Sequence, residues 1–344
     1  MSNSHDEVFH IMLGNQEKHT LSLINILHNL PEGLRCRYFI IGQTQHIHGF
    51  REGVEVEYLY GEDAYKNLLK RLVTSRKIIM HGIWPVFLCS FLVQNNDQMK
   101  KTIWIPWGGD FYFPERQPRA RHAFIKRVPN IVSASGADKR YIIENYSANA
   151  DFIKMFPYPV SIYRENSFNL IKKNKNNKTL KIMVGNSATD TCNHYESFLA
   201  IHDAGIEEKK VICPLSYGSR EVREKVIRLG ESFFGSSFLA MSRFLSSVDY
   251  RRFLESVDVA VFAHDRQQAL GNCYMLLGLG KTLYLKRGSP IDEHLREYGF
   301  HVMGLDDLGK RCLSLKEVKI NLEVCRKFMN EDVFLENWKL LLLK

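Results

Sequence analysis

Residues 259–285, VAVFAHDRQQALGNCYMLLGLGKTLYL, decide how the chain is read. Val259, Val261 and Phe262 are the β-branched and aromatic run of a buried strand. A polar loop follows, with Asp265, Arg266, Gln267 and Gln268 and then a small Ala-Leu-Gly-Asn turn. Asn272 suits the N-cap of a short apolar helix over 273–279, and Gly280 stands where a helix ends in the left-handed conformation. Thr282 to Leu285 resumes strand composition. A strand that hands a polar loop to a helix N-terminus is a ready anion site, because free backbone N–H groups point at whatever docks there. The same residues also suit an ordinary crossover with a solvated loop.

Outward from this stretch the pattern repeats. In the first half, strands are expected at 8–13, 36–41, 54–59, 77–80, 102–106, 130–134 and 152–155. Helices fall between them: one over 21–30, one capped by Asp63, an apolar one over 83–93, and one capped near Ser135 or Asp138. Residues 162–179 mix five asparagines and four lysines with few apolar residues, which is linker composition. The alternation then restarts: strands at 180–184, 209–213, 239–245, 257–262 and 300–303, with helices over 194–204, 219–234 and 248–256. Residues 313–344 read as mostly helical, with an apolar stripe of Phe334, Trp338, Leu341 and Leu342. Strands alternating with helices imply parallel sheets covered on both faces. The expected domains are 1–161, a linker 162–179, 180–328, and a final helix 329–344 that packs back on the first domain.

Composition narrows the function. With 344 residues, 45% hydrophobic and 25% charged, the chain has the make-up of a two-domain globular protein. No cationic, apolar start resembles a signal peptide, and the longest apolar run, 83–93, is far too short to span a bilayer. Seven cysteines without a CxxC pair argue for a reducing cytoplasm and against a zinc site or disulfide scaffold. Thirteen histidines form no HExxH spacing, and His46 and His48 are only a weak pair, so no metal is expected. The net charge of +9 suits phosphorylated substrates or anionic lipid, and no nucleic-acid motif accompanies it. No GxGxxG follows the first strand, which speaks against a nicotinamide enzyme.

Polar clusters sit at four predicted strand ends: His81-Gly82, Trp107 to Asp110, Gly185 to Asp190 and Arg266 to Asn272. Doubly wound sheets bind ligands at the carboxyl ends of their strands. Arg266 is permanently charged and can bind two oxygens of an anion at once. Gly271 and Asn272 offer backbone N–H groups beside it. Arg116, Arg119, Arg121, Lys126 and Arg127 form a cationic segment that suits a membrane surface. For each, a bland role stays open: salt bridge, turn cap, core ring or solvated helix face.

The motifs MHG (80–82), WGGDFY (107–112), MFPYPV (155–160), VGNSATDTCNH (184–194), PLSYG (214–218), DYRRFLESVDVAVF (249–262) and RQQALG (266–271) run in one order along nearly the whole chain. In them the chain resembles glycosyltransferase family 56, the bacterial 4-acetamido-4,6-dideoxy-galactosyltransferases. It departs at Gly109, where the family has WGAD, and at Gln268-Ala269-Leu270-Gly271, where the family has a QGIG-like turn. The resemblance implies a GT-B fold: two doubly wound, Rossmann-like α/β domains facing a central cleft. It implies transfer of an amino sugar such as 4-acetamidofucose from a TDP-sugar to a polyprenyl-diphosphate-linked saccharide. It also implies peripheral attachment to the cytoplasmic face of the inner membrane, and no metal or other cofactor. Through it, Arg266 becomes a candidate to hold the diphosphate, Gln267 and Gln268 to hold sugar hydroxyls, Asn186, Ser187 and His194 to contact the donor, and Tyr217 to stack on the thymine. Asp110 becomes the candidate general base for the acceptor hydroxyl, with His81 as rival, and Trp107 a candidate sugar-stacking wall. The alternatives are the same fold with another nucleotide-sugar, and a non-catalytic nucleotide-sugar binder.

Overall fold

A computed structural model describes residues 7–14, 17–31, 34–42, 47–159, 162–163 and 179–344. His46 and all but the ends of the expected linker 162–179 lie outside the described residues. The chain divides into two compact units: one comprises residues up to 162 together with 331–344, the other 163–330.

In the first unit, strands β1 (Val8–Leu13), β2 (Cys36–Ile41), β3 (Val56–Leu59), β4 (Lys77–His81), β5 (Thr102–Ile105), β6 (Asn130–Val132) and β7 (Asp151–Ile153) form one sheet. Its order is β3-β2-β1-β4-β5-β6-β7, and every described pairing is parallel. The order reverses between β1 and β4, so a crevice opens beyond the carboxyl ends of these two strands. Side chains alternate across the sheet. Phe9, Ile11, Ile78, Met80 and Trp104 pack on one face, and Val8, Met12, Ile79, Ile103 and Ile105 on the other. The second face also receives Phe334, Trp338, Leu341 and Leu342 from the last helix, α13 (Glu331–Leu343). That helix follows the second unit in sequence and belongs to the first in space.

The second unit repeats the design with β8 (Leu180–Val184), β9 (Lys209–Pro214), β10 (Phe238–Met241), β11 (Val259–Phe262), β12 (Thr282–Leu285) and β13 (Met303–Gly304), ordered β10-β9-β8-β11-β12-β13. Its switch point lies between β8 and β11, and β11 is fully buried, as its composition predicts.

Two local expectations fail. Helix α2 (Glu62–Leu72) starts at Gly61 without a side-chain cap, and Asp63 sits in its first turn. Helix α10 (Leu270–Gly278) starts earlier than its composition suggests: its N-cap is Ala269, at φ 59°, and Asn272 lies inside the first turn. There the Asn272 side chain caps nothing. Gly280 does end the helix in the left-handed conformation, with its N–H on the Leu277 carbonyl.

Candidate functional site

In the second unit, two loops leave the switch point. The loop after β8 turns at Gly185 (φ 63°), where a Cβ would stand 2.7 Å from His194 Nε2. His194, the first residue of α7 (His194–Asp203), therefore lies buried against this turn. Asn186 and Ser187 are also buried. The Asn186 amide donates to Tyr217 Oη at 2.6 Å, and Tyr217 leaves about half its surface (48%) exposed. Tyr217 is fixed by the next residue: a Cβ on Gly218 (φ 109°) would stand 2.3 Å from the Ala188 carbonyl oxygen. Only glycine fits there.

The loop after β11 is tied to the first one. Thr191 Oγ1 donates to Gln268 Oε1 at 2.7 Å and lies 3.2 Å from Arg266 Nε, and Asp265 N–H meets the Thr191 carbonyl at 3.1 Å. Gln268 turns inward, its amide donating to the buried Cys192 thiol at 3.1 Å. Arg266 and Gln267 stay half-buried at the rim, and Arg266 also meets the Gln267 carbonyl. No side chain caps α10 at Ala269, so the N–H groups of Leu270, Gly271 and Asn272 begin the helix beside Arg266. Lys286, at the end of β12, adds an ion pair with Glu196 at 2.9 Å and approaches Asp265 at 3.6 Å. Sequence reasoning missed Lys286 and Thr191. Lys286 directly follows a predicted strand, which was the available signal. Beneath the loop, His264 is fully buried and stacked on Phe262, and burial lowers its pKa to about 3.

In the first unit, the cluster at the ends of β4 and β5 is also built. Asp110 is fully buried. Its carboxylate accepts the Trp107 N–H at 2.8 Å, the Trp104 indole N–H at 3.0 Å and the Ile83 N–H at 3.1 Å. Burial pushes its pKa up against these three donors. The carboxylate ties two loops together and has no exposed oxygen in this arrangement. His81 is buried as well, with Nε2 3.1 Å from His10 Nδ1 and Nδ1 2.8 Å from Tyr158 Oη. Burial holds His81 well below its ordinary pKa and holds His10 at about 3, so both rings are neutral. The Trp107 ring is half-buried, edge-on to Tyr158 at 4.8 Å and to His19 at 5.1 Å.

The departure at Gly109 has a steric cause. A Cβ there would stand 2.6 Å from Trp84 Cη2, and Trp84 also covers Gly82. Arg121 stacks on Trp84 at 5.3 Å and donates to the carbonyls of Ile83 and Trp84, both at 2.9 Å. Arg121 is thus spent inside the unit, a correction to its expected membrane-facing role. Arg127 donates to the Val93 carbonyl with its surface still exposed. Arg116, Arg119 and Lys126 are exposed.

No group of His, Cys, Asp and Glu among the described residues has metal-binding geometry, and none of their helices is long and apolar enough to cross a membrane.

The two doubly wound sheets have clear structural relatives. A glycosyltransferase from Rickettsia africae superposes with a TM-score of 0.68 at 10% identity, over 98% of each chain. A UDP-forming trehalose-phosphate synthase from Burkholderia xenovorans gives 0.67 at 13% identity, over 100% of this chain and 99% of that one. The N-terminal domain of the Candida albicans trehalose-6-phosphate phosphatase gives 0.67 at 11% identity, over 98% and 96%. The fold is that of the GT-B glycosyltransferases. The family model described as 4-alpha-L-fucosyltransferase glycosyl transferase group 56 matches residues 7–342, and the chain belongs to that family. It is a glycosyltransferase.

Proposed function

We propose that this glycosyltransferase takes a 4-acetamido-4,6-dideoxy sugar, 4-acetamidofucose or a close relative, from a TDP donor. The acceptor is a polyprenyl-diphosphate-linked saccharide at the cytoplasmic face of the inner membrane. One observation carries the donor half: the uncapped start of α10 stands beside Arg266, which Thr191 braces, at the switch point of the second sheet. Backbone N–H groups and one guanidinium together neutralise a diphosphate leaving group, so the reading needs no metal. The exposed face of Tyr217 is offered to the base, Gln267 to the sugar, and Gly185 to Ser187 to the second phosphate. The acceptor belongs to the first unit, near Trp107, and exposed Arg116, Arg119, Lys126 and Arg127 favour anionic headgroups.

A panel of TDP- and UDP-sugars tests this, scored by thermal stabilisation and then by transfer to a lipid-linked saccharide in EDTA. The account expects TDP-4-acetamido-4,6-dideoxy-galactose to stabilise and to be transferred. Transfer of another sugar replaces the donor in this reading. Binding without any transfer, to any acceptor, favours a sugar-nucleotide binder.

A further inference from the structure

Two pairs of cations, Arg76-Lys77 and Lys100-Lys101, stand at the starts of two apolar strands. Lys77 opens β4, and Lys101 directly precedes β5. These strands run parallel with Ile78 level with Thr102, so the topology sets the two pairs side by side. They lie at the amino-terminal end of the first sheet, opposite the end that carries His81 and Trp107. There the four cations line a cavity of about 290 Å³ together with Lys344 and Asn130, at the small end of ligand cavities. None of the described residues lining it is acidic.

The bonds these cations make orient them without neutralising them. The Lys77 ammonium donates to the carbonyls of Leu341 at 2.8 Å and Leu342 at 3.3 Å, and Arg76 also meets the Leu342 carbonyl. Lys101 donates to the Val73 carbonyl at 3.0 Å and to that of Ser75. Such carbonyls at the ends of α13 and α2 carry partial negative charge, and no carbonyl is a counter-ion. Asp97, which is not among the lining residues, lies 4.0 Å from Lys100 and also acts on Lys101. Burial, reinforced by the charges of Arg76 and Lys344, pushes the Lys77 ammonium down to about 8. Like charges gathered around a concavity focus a positive field into it.

We infer that this cavity binds a phosphate group, as an anion site separate from the loops around Arg266. Ammonium and guanidinium groups already aimed by backbone carbonyls lose little freedom when an anion arrives, and each adds a charge-assisted bond. A phosphate held here joins the starts of β4 and β5 to the end of α13. Soluble phosphate compounds and phosphate-bearing lipid headgroups share this chemistry.

NMR on the full protein labelled at lysine tests the site where it lies, with inorganic pyrophosphate as the probe. Without the probe, the Lys77 ε-carbon should titrate near pH 8. Saturating pyrophosphate should raise that midpoint by about one pH unit, which is the same statement as tenfold tighter binding to the charged form. Read at Lys101, Lys77→Gln should weaken binding by about tenfold, the scale of one charged hydrogen bond. Lys77→Arg keeps the charge and should bind as wild type does. Lys100→Gln changes an exposed side chain, where folding is not at stake, and should weaken binding several-fold. Flotation with phosphatidylcholine vesicles, with and without phosphatidylglycerol, separates the sources. Recruitment by the anionic lipid that Lys77→Gln reduces assigns a headgroup; recruitment that Lys77→Gln leaves unchanged, with pyrophosphate bound by wild type, assigns a soluble phosphate. A Lys77 signal that ignores pyrophosphate, or equal binding by wild type, Lys77→Gln and Lys100→Gln, overturns the site. Affinity for TDP, measured on the same samples, reports on the Arg266 loops separately.

Discussion

The hydroxyl of Thr191 donates to Gln268 Oε1 at 2.7 Å, and with this bond the loop after β8 grips the loop after β11. The same oxygen lies 3.2 Å from Arg266 Nε, so one side chain sets both the amide and the guanidinium. Thr191→Val keeps the shape and removes both bonds. It should weaken TDP binding by about 1–2 kcal/mol, since a misaimed arginine loses part of a charged hydrogen bond. Calorimetry checks this, and unchanged affinity would mean that Arg266 does not need the brace.

Asp110→Asn should act on stability first. The amide NH2 would face N–H donors that now meet a carboxylate, so unfolding should cost about 2–4 kcal/mol less. Urea denaturation measures the loss. A variant of unchanged stability whose turnover falls by about 10²–10⁴ would support Asp110 as general base.

Gly218→Ala places a Cβ 2.3 Å from the Ala188 carbonyl oxygen at a φ of 109°. The strain and the clash together should destabilise the second unit by about 2–4 kcal/mol. The Tyr217 ring would shift with it. A denaturation midpoint equal to wild type would contradict the geometry.

Buried neutral histidines make the protein acid-sensitive. His10 and His264 have folded pKa values lowered to about 3 from an unfolded value of 6.5. Below pH 6.5 the unfolded chain takes up protons that the folded chain refuses, so stability is complete above 6.5 and falls as pH drops. Each group contributes about 1.4 kcal/mol per pH unit down to about pH 3. Denaturation at pH 7.5, 6.0 and 5.0 should show this slope, reduced in His264→Phe. An identical slope in that variant would show that His264 is not the source.

Much of this architecture was legible in residue order. Strands such as 8–13, 36–41 and 259–262 announce themselves because buried parallel strands need continuous β-branched or aromatic runs. Gly280 was legible because a helix that ends in the left-handed conformation favours glycine there. What was hidden depends on contacts distant in sequence. Asn272 looks like a cap, but packing starts α10 three residues earlier at the strained Ala269. Asp110 looks like a free carboxylate until Trp104 and Ile83 are seen to spend it. His10 reads as one polar residue in a strand, and only the fold brings His81 and Trp338 against it. The Gly109 departure makes sense only once Trp84 is known to lie on it.

The central claim is a metal-free diphosphate site built on Arg266 and the start of α10. Titration calorimetry of TDP into wild type and Arg266→Ala, both in EDTA, tests it most directly. The account predicts tight binding by wild type despite the chelator, and a loss of about 1.5–3 kcal/mol in the variant, the scale of a charged hydrogen bond. Equal affinity of the two proteins, or binding by wild type that EDTA abolishes, would contradict it.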